Sequence, residues 1–354
     1  MSTFPAASPS SHGRTLRSPL ATGSNSGIIF FCSPTRVLRR STGRSCASKS
    51  RCSPAVRARA RTAASNGLQL TELDVVFESK VAVNGNVKLH YTAAGSGPPI
   101  VFLHGFPDHG MGWRRQMQAL SGRYRVIAPD LRGFGQSDAP QGYGNYVLTN
   151  LINDVLAVLA AEKLAQAAIV GHDWGGIIAW WLAIRVPQSV RHLVLLSTPH
   201  PRNHLRAIAD PANAEITEYI RRFQVPGAAQ MLDIDELTAW VADPQDREAL
   251  VESLRRSDPE AMLGYYRANI PLGKVPDIGQ LPLVKAPTLV MFGTDDPYVP
   301  VGAFDSTFRE VDNVTALVAL PGAGHFIHHQ AAKFVTEQIE AWVERPPSSF
   351  RHFA

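Results

Sequence analysis

Acidic residues are missing from the first 70 positions of this 354-residue chain, a stretch that carries eleven Lys or Arg and fourteen Ser. A basic, Ser-rich run with no carboxylate is how organelle-targeting leaders are composed. Residues 1–66 are therefore expected to be a transit peptide, removed or disordered. Its Ser content and the run Ala55-Val56-Arg57-Ala58-Arg59-Ala60 point to a chloroplast, with a mitochondrion as the alternative. Cysteine is missing from everything after this leader, which holds Cys32, Cys46 and Cys52. That absence excludes disulfides and thiol-ligated metal from the remainder, so its apolar core has to hold it together unaided. Long apolar runs are missing too. None approaches the roughly 18 residues of a membrane span, and a soluble protein is expected. With the leader set aside, residues 71–354 hold 24 basic and 30 acidic residues, a balance of −6. The whole-chain charge of +5 therefore belongs to the leader and gives no reason to expect nucleic acid.

What is present after the leader alternates. Short continuous apolar runs occur at Pro99 to Leu103, Arg125 to Ala128, Ala167 to Val170, Leu193 to Leu196, Thr288 to Phe292 and Ala316 to Leu320, as strands buried on both faces require. Between them lie helical patterns, notably Leu148 to Ala161, with apolar residues at Leu151, Ile152, Val155, Leu156, Val158 and Leu159, and Gly176 to Val186. Leu73 to Val83 and Val87 to Ala93 flank Asn84-Gly85-Asn86, a hairpin signal. Such alternation predicts an α/β fold with a mostly parallel sheet wrapped by helices. From His200 to Leu283 there is no buried-strand run. The segment reads as helices over Glu215 to Phe223, Asp235 to Ala242, Asp246 to Arg255 and Pro259 to Asn269, broken by Pro211, Pro226, Pro244 and Pro271. The expected division is a core of residues 67–199 and 284–354, with residues 200–283 inserted as a helical cap.

The run Ala167 to Val170 ends in Gly171-His172-Asp173-Trp174-Gly175-Gly176, and a helical pattern follows. Glycines two before and two after a central residue suit a sharp strand-to-helix turn that exposes the residue at its apex. That residue is Asp173, a carboxylate that needs no base to act as a nucleophile. Ligands of an open parallel sheet gather at the carboxyl ends of its strands. Those ends present His104-Gly105-Phe106-Pro107, whose N–H groups, with that of Trp174, are candidates for an oxyanion hole. They also present Gly293-Thr294-Asp295-Asp296-Pro297 and Pro321-Gly322-Ala323-Gly324-His325. Nucleophile, acid, histidine is the order along the chain. The glycine before His325 and its place after the last strand separate it from His172, His328 and His329. The His328-His329 pair has no second cluster at ligand spacing, so no metal is expected.

These features, with the loop Asp130-Leu131-Arg132-Gly133-Phe134-Gly135-Gln136-Ser137, resemble the α/β-hydrolase fold, and within it the epoxide hydrolases, over about Leu73 to Val343. The resemblance implies conversion of an epoxide to a vicinal diol without cofactor or metal. Asp173 is then the nucleophile and His325 the base, oriented by Asp296 in preference to its neighbour Asp295, with Phe106 and Trp174 N–H groups as oxyanion hole. Ser197-Thr198-Pro199 leaves empty the alternative acid position used by some relatives. Tyr266, in Tyr265-Tyr266-Arg267, and Tyr219 resemble the two cap tyrosines whose hydroxyls stabilise and protonate the opened epoxide oxygen. Phe106-Pro107 is a cis bond in relatives. The partners implied are a small-molecule epoxide and water, with no nucleic acid and no membrane span. A haloalkane dehalogenase would share Asp173 and Trp174. It would need a second N–H for the halide, which Phe106 does not supply and the cap's Trp240 leaves open. Fluoroacetate-type dehalogenases carry arginines where this chain has Trp174 and Ile177. A small-molecule receptor of this fold would be expected to keep serine at the apex.

Overall fold

The computed structural model describes residues 28–32, 75–270 and 278–345. Most of the expected leader, Leu73 and Pro271 lie outside the described residues. The strands are β1 (Ile28–Cys32), β2 (Glu78–Asn84), β3 (Val87–Ala94), β4 (Pro99–Leu103), β5 (Arg125–Pro129), β6 (Ala167–His172), β7 (Val190–Leu196), β8 (Thr288–Gly293) and β9 (Thr315–Leu320). They form one sheet in the order β1-β9-β8-β7-β6-β4-β5-β3-β2. From β5 to β9 the neighbours are parallel, and β2, β3 and β1 are antiparallel additions at the two edges. The hairpin signal is met, since β2 and β3 pair from Asn84 and Val87 outward. The edge strand β1 was not foreseen. Its residues fall within the basic leader, where composition masks a short apolar run.

All six expected buried runs are strands, and their reason is visible in the core. Ile100 and Phe102 of β4 join one apolar cluster while Val101 and Leu103 join another on the opposite face. The same division holds for Ala168 and Val170 against Ile169 on β6. Alternate side chains leave opposite faces, so a strand covered on both must be apolar throughout. One face is covered by α1 (Arg114–Leu120) and, after the last strand, by α10 (Ala332–Val343), through Met117, Leu120, Val335, Ile339 and Trp342. The other is covered by α2 (Leu148–Ala161) and α3 (Trp174–Arg185). Each Leu, Ile or Val fully buried contributes about 1.5–3 kcal/mol, which is how a cysteine-free core suffices.

Between β7 and β8 lie α4 (Pro201–Ala209), α5 (Glu218–Arg222), α6 (Ile234–Thr238), α7 (Pro244–Arg256) and α8 (Pro259–Asn269). The helical insertion is therefore present, with α4 unforeseen and α5 and α6 shorter than their patterns. Pro244 opens α7 instead of breaking it, because Pro is tolerated at the first helical position and Asp243 caps the N–H groups of Gln245 and Asp246. Asp258 and Pro259 start α8 in the same way. Among the described residues no helix is long and apolar enough to cross a membrane.

Candidate active site

The turn between β6 and α3 places Asp173 at φ 50° and ψ −120°, a backbone strained for any residue but glycine. Such a conformation costs on the order of 1–3 kcal/mol and persists because strand and helix fix both sides of it. Two glycines make room. A Cβ on Gly171 would lie 2.5 Å from the Gly175 carbonyl oxygen, and one on Gly175 would lie 2.2 Å from that of Leu103. The Asp173 carbonyl accepts the first helical bond, from Ile177 N–H at 2.9 Å. The N–H of Trp174, first residue of α3, therefore has no partner within the helix and is free to meet an anion. Across the turn, Phe106 N–H donates to Asp173 Oδ1 at 2.8 Å. The two N–H groups named for an oxyanion hole thus both lie at Asp173, and Phe106-Pro107 is a cis bond.

His325 stands after β9 between two carboxylates. Its Nδ1 lies 2.7 Å from Asp296 Oδ2, and its Nε2 lies 3.7 Å from Asp173 Oδ2. Burial alone would lower its pKa, but the charge and hydrogen bond of Asp296 and the nearby Asp173 carboxylate raise it to about 10. Asp296, not Asp295, is the carboxylate that pairs with His325. Its second oxygen accepts N–H bonds from Tyr298 and Val299, whereas Asp295 takes the Thr294 hydroxyl at the surface. Ser197, at the alternative acid position, donates its hydroxyl to the His325 carbonyl and so holds the base by its backbone.

The cap closes the site from above. Tyr219 of α5 and Tyr266 of α8 meet edge to face at 6.1 Å, and both line one cavity with Asp173 and His325. Burial, then the charge of Asp173, raises both phenols well above their ordinary pKa, so both stay protonated donors at neutral pH. The neighbouring Tyr265 turns away and donates to the Arg132 carbonyl at 2.8 Å, pinning α8 to the core. The cavity measures about 110 Å³ and is lined also by Phe106, Phe223, Leu237, Trp240, Tyr298 and Phe326. Trp240 stacks on Phe326 at 3.5 Å, and its indole N–H donates to the Leu237 carbonyl. That donor is therefore occupied and does not supply a halide site.

Two residues beside the nucleophile escaped sequence reasoning. Tyr298, edge-on to both Tyr219 and His325, follows Asp296 by two positions, which is the signal that could have found it. His204 of α4 is close enough to feel both Asp173 and His325, with burial as the main cause of a pKa lowered to about 4. Nothing local distinguishes it. Two other buried histidines hold backbone instead. His104 Nε2 accepts from Leu131 N–H at 2.9 Å, which puts its proton on Nδ1, facing the Gly105 carbonyl. His172 Nε2 faces the His325 carbonyl at 3.1 Å.

His328 and His329 gain a partner that their sequence neighbourhood hides. Both direct Nε2 at Asp108 Oδ2, at 3.0 and 3.2 Å. These three are the metal-capable group of three among the described residues. Their Nε2 atoms already serve as donors to one oxygen. Turning the His328 pair of electrons toward a metal would move its proton to Nδ1, which is buried without a partner. The donor set fits a paired carboxylate better than a metal.

Comparison with known proteins agrees with this geometry. Residues 98–332 match the model of the alpha/beta hydrolase fold. Epoxide hydrolase 4 of Homo sapiens is 32% identical over 283 residues, 72% of this chain and 75% of that protein. The AB hydrolase superfamily protein YfhM of Bacillus subtilis is 32% identical over 279 residues, 73% of this chain and 95% of its own. A solved structure from work on novel epoxide hydrolases in metagenomes from hot environments is 30% identical, with a TM-score of 0.68, covering 76% of this chain and 99% of the other. The Bacillus megaterium epoxide hydrolase in complex with an inhibitor is 25% identical, with a TM-score of 0.70, covering 75% and 100%. With Asp173, His325, Tyr219 and Tyr266 all lining one cavity, the chain belongs to the α/β-hydrolase fold family and, within it, to the epoxide hydrolases.

Proposed function

We propose that the site opens an epoxide by forming an ester on Asp173 and then hydrolyses that ester to a vicinal diol. The observation that carries this is His325 standing between Asp173 and Asp296 beneath two protonated phenols. Asp173 attacks an epoxide carbon. The C–O bond breaks, and the oxygen takes its electron pair toward the Tyr219 and Tyr266 hydroxyls, one of which delivers the proton. Esterification removes the charge on Asp173, one of the two carboxylates that raise the His325 pKa. The imidazolium then releases its proton more readily, restoring the phenol that gave one up, and the neutral ring can draw a proton from water. That water attacks the ester carbonyl while the N–H groups of Phe106 and Trp174 hold the oxyanion. Collapse returns the carboxylate and frees the diol.

The cavity supports uncharged substrates bearing an aryl or alkyl group. Its walls are largely aromatic, Phe106, Phe223, Trp240 and Phe326 among them, which suits an apolar substituent on the epoxide. Glu236 in the same wall disfavours an epoxide carrying a carboxylate. The dehalogenase reading lacks its second halide donor, since the Trp240 N–H is engaged. The receptor reading leaves an activated Asp173 without a purpose.

One turnover in ¹⁸O water tests the covalent route. The label should enter Asp173 and not the diol, because water attacks the ester carbonyl and the old carboxylate oxygen leaves with product. His325→Ala should stop at protein plus one intact substrate mass, on the peptide containing Asp173. Label passing straight into diol with no adduct would mean that Asp173 acts as a base.

We also propose that residues 1–66 direct the protein to a chloroplast, with a mitochondrion as the alternative, on the strength of their acid-free, basic, Ser-rich composition. A fluorescent protein carrying residues 1–66 should collect in plastids. Diffuse fluorescence would reject targeting altogether.

A further inference from the structure

We propose that Asp108 is a positioning residue that sets the distance between the oxyanion-hole donor and the catalytic base by tying their two loops together. Asp108 stands two residues after Phe106, on the loop that follows β4. His328 and His329 stand three and four residues after His325, in α9 (Ile327–Gln330). One carboxylate oxygen of Asp108 receives both imidazoles, at 3.0 and 3.2 Å, while the other accepts His109 N–H at 2.9 Å. The linkage crosses more than two hundred residues of chain, and Asp108 and His328 are both 1% exposed, so water does not substitute for it.

The surroundings reinforce the same connection. His328 stacks on Trp113 at 4.4 Å, and its carbonyl accepts Gln116 Nε2 at 2.8 Å, both partners coming from the chain just beyond Asp108. His329 meets Trp240 of the cap edge-on, next to the stacked Trp240–Phe326 pair. The segment from His325 to His329 thus has its base at one end and the Asp108 anchor at the other.

The role rests on the ester mechanism proposed above and predicts an uneven effect on its two steps. Ring opening uses Asp173, whose Oδ1 meets the Phe106 N–H, and the cap phenols, but it does not need His325 as a base, so it depends less on the Phe106–His325 spacing. Ester hydrolysis uses Phe106 N–H and His325 together, so it depends on their spacing, and a misplacement near 1 Å can cost about a hundredfold. Asp108→Asn cannot satisfy its partners, because its NH₂ must face either the His109 N–H or the two imidazole N–H groups.

Single-turnover kinetics with a monosubstituted aryl epoxide, followed by quenching and mass spectrometry of the Asp173 peptide, separates the steps. Asp108→Asn should slow ester hydrolysis by about tenfold or more and ring opening by less than about threefold, so that the adduct accumulates. Because Asp108 is buried, the half-buried His329 provides a second pair of variants. His329→Leu removes one donor and should show part of the same accumulation, while His329→Gln keeps a donor and should restore hydrolysis. Equal slowing of both steps in Asp108→Asn, or no difference between the two His329 variants, overturns the proposal. Absence of any adduct from His325→Ala in the same assay would instead reject the ester mechanism itself.

Discussion

The floor and the roof of this site are built in different ways. On the floor, Asp173, Asp296, His325 and the two N–H donors sit at strand ends, fixed by backbone bonds and by glycines that leave no slack. On the roof, Tyr219 is carried by a helix of five residues, too short to hold itself, and Tyr266 by one of eleven that is pinned through Tyr265 and Arg132. On the mechanism proposed above, the difference teaches where chemistry and selectivity reside. Groups proposed to exchange covalent bonds or protons are placed by the sheet. Groups proposed to choose and polarise the substrate are placed by an insertion that rests on it.

The sharpest way to break the comparison is at the floor. Asp173→Ala should lower turnover by about four orders of magnitude or more while leaving the fold intact, because the carboxylate faces the cavity and the backbone of the turn is fixed by the strand and helix on either side. Diol formation at the wild-type rate, with unchanged circular dichroism, would remove Asp173 from the mechanism. Asp296→Asn should cost about 10³- to 10⁴-fold by presenting the wrong tautomer of His325, and a loss within tenfold would argue that Asp295 can take over.

At the roof the expected losses are smaller. Tyr219→Phe and Tyr266→Phe should each slow ring opening by roughly ten- to a thousandfold, one transition-state donor apiece. The Tyr266 variant should suffer more because its helix holds it firmly. If neither changes the single-turnover rate, the alkoxide is stabilised elsewhere and the roof serves only to exclude water.

The gentlest test is pH. His325 has a folded pKa raised to about 10 against 6.5 for a free imidazole, so its pairing stabilises the fold fully below about pH 6.5 and is lost as pH climbs through about 10. Thermal melts should therefore show stability falling over that window, and Asp296→Asn should flatten the slope. A slope unchanged in Asp296→Asn would place the titration on another group. In the ester state, with Asp173 neutral, the base should titrate well below 10, which the pH dependence of adduct decay in single turnover would report.

Much of the floor was legible in the chain itself. Its strands announce themselves because burial on both faces demands unbroken apolar runs, a local property. The helix over Leu148 to Ala161 was equally plain, from its 3.6-residue stripe. Gly171 and Gly175 betray the turn because nothing larger fits there. The roof was harder to read: α4 went unseen, α5 and α6 were drawn too long, and Pro244 was read as a stop when Asp243 makes it a start.

The sequence by itself therefore determined the sheet, the turn and the order of nucleophile, acid and base, since each is written in adjacent residues. The sequence preferred Asp296 to Asp295 and chose Tyr266 and His325 over their neighbours; only the tertiary structure decided what Asp295, Tyr265, His328 and His329 do instead. In each of those choices the neighbours carry the same functional groups, and what separates them is the partner each side chain reaches. Those partners come from residues up to 221 positions away, as His329 and Asp108 do, and no local pattern encodes a contact made only when the sheet has brought distant loops to one edge.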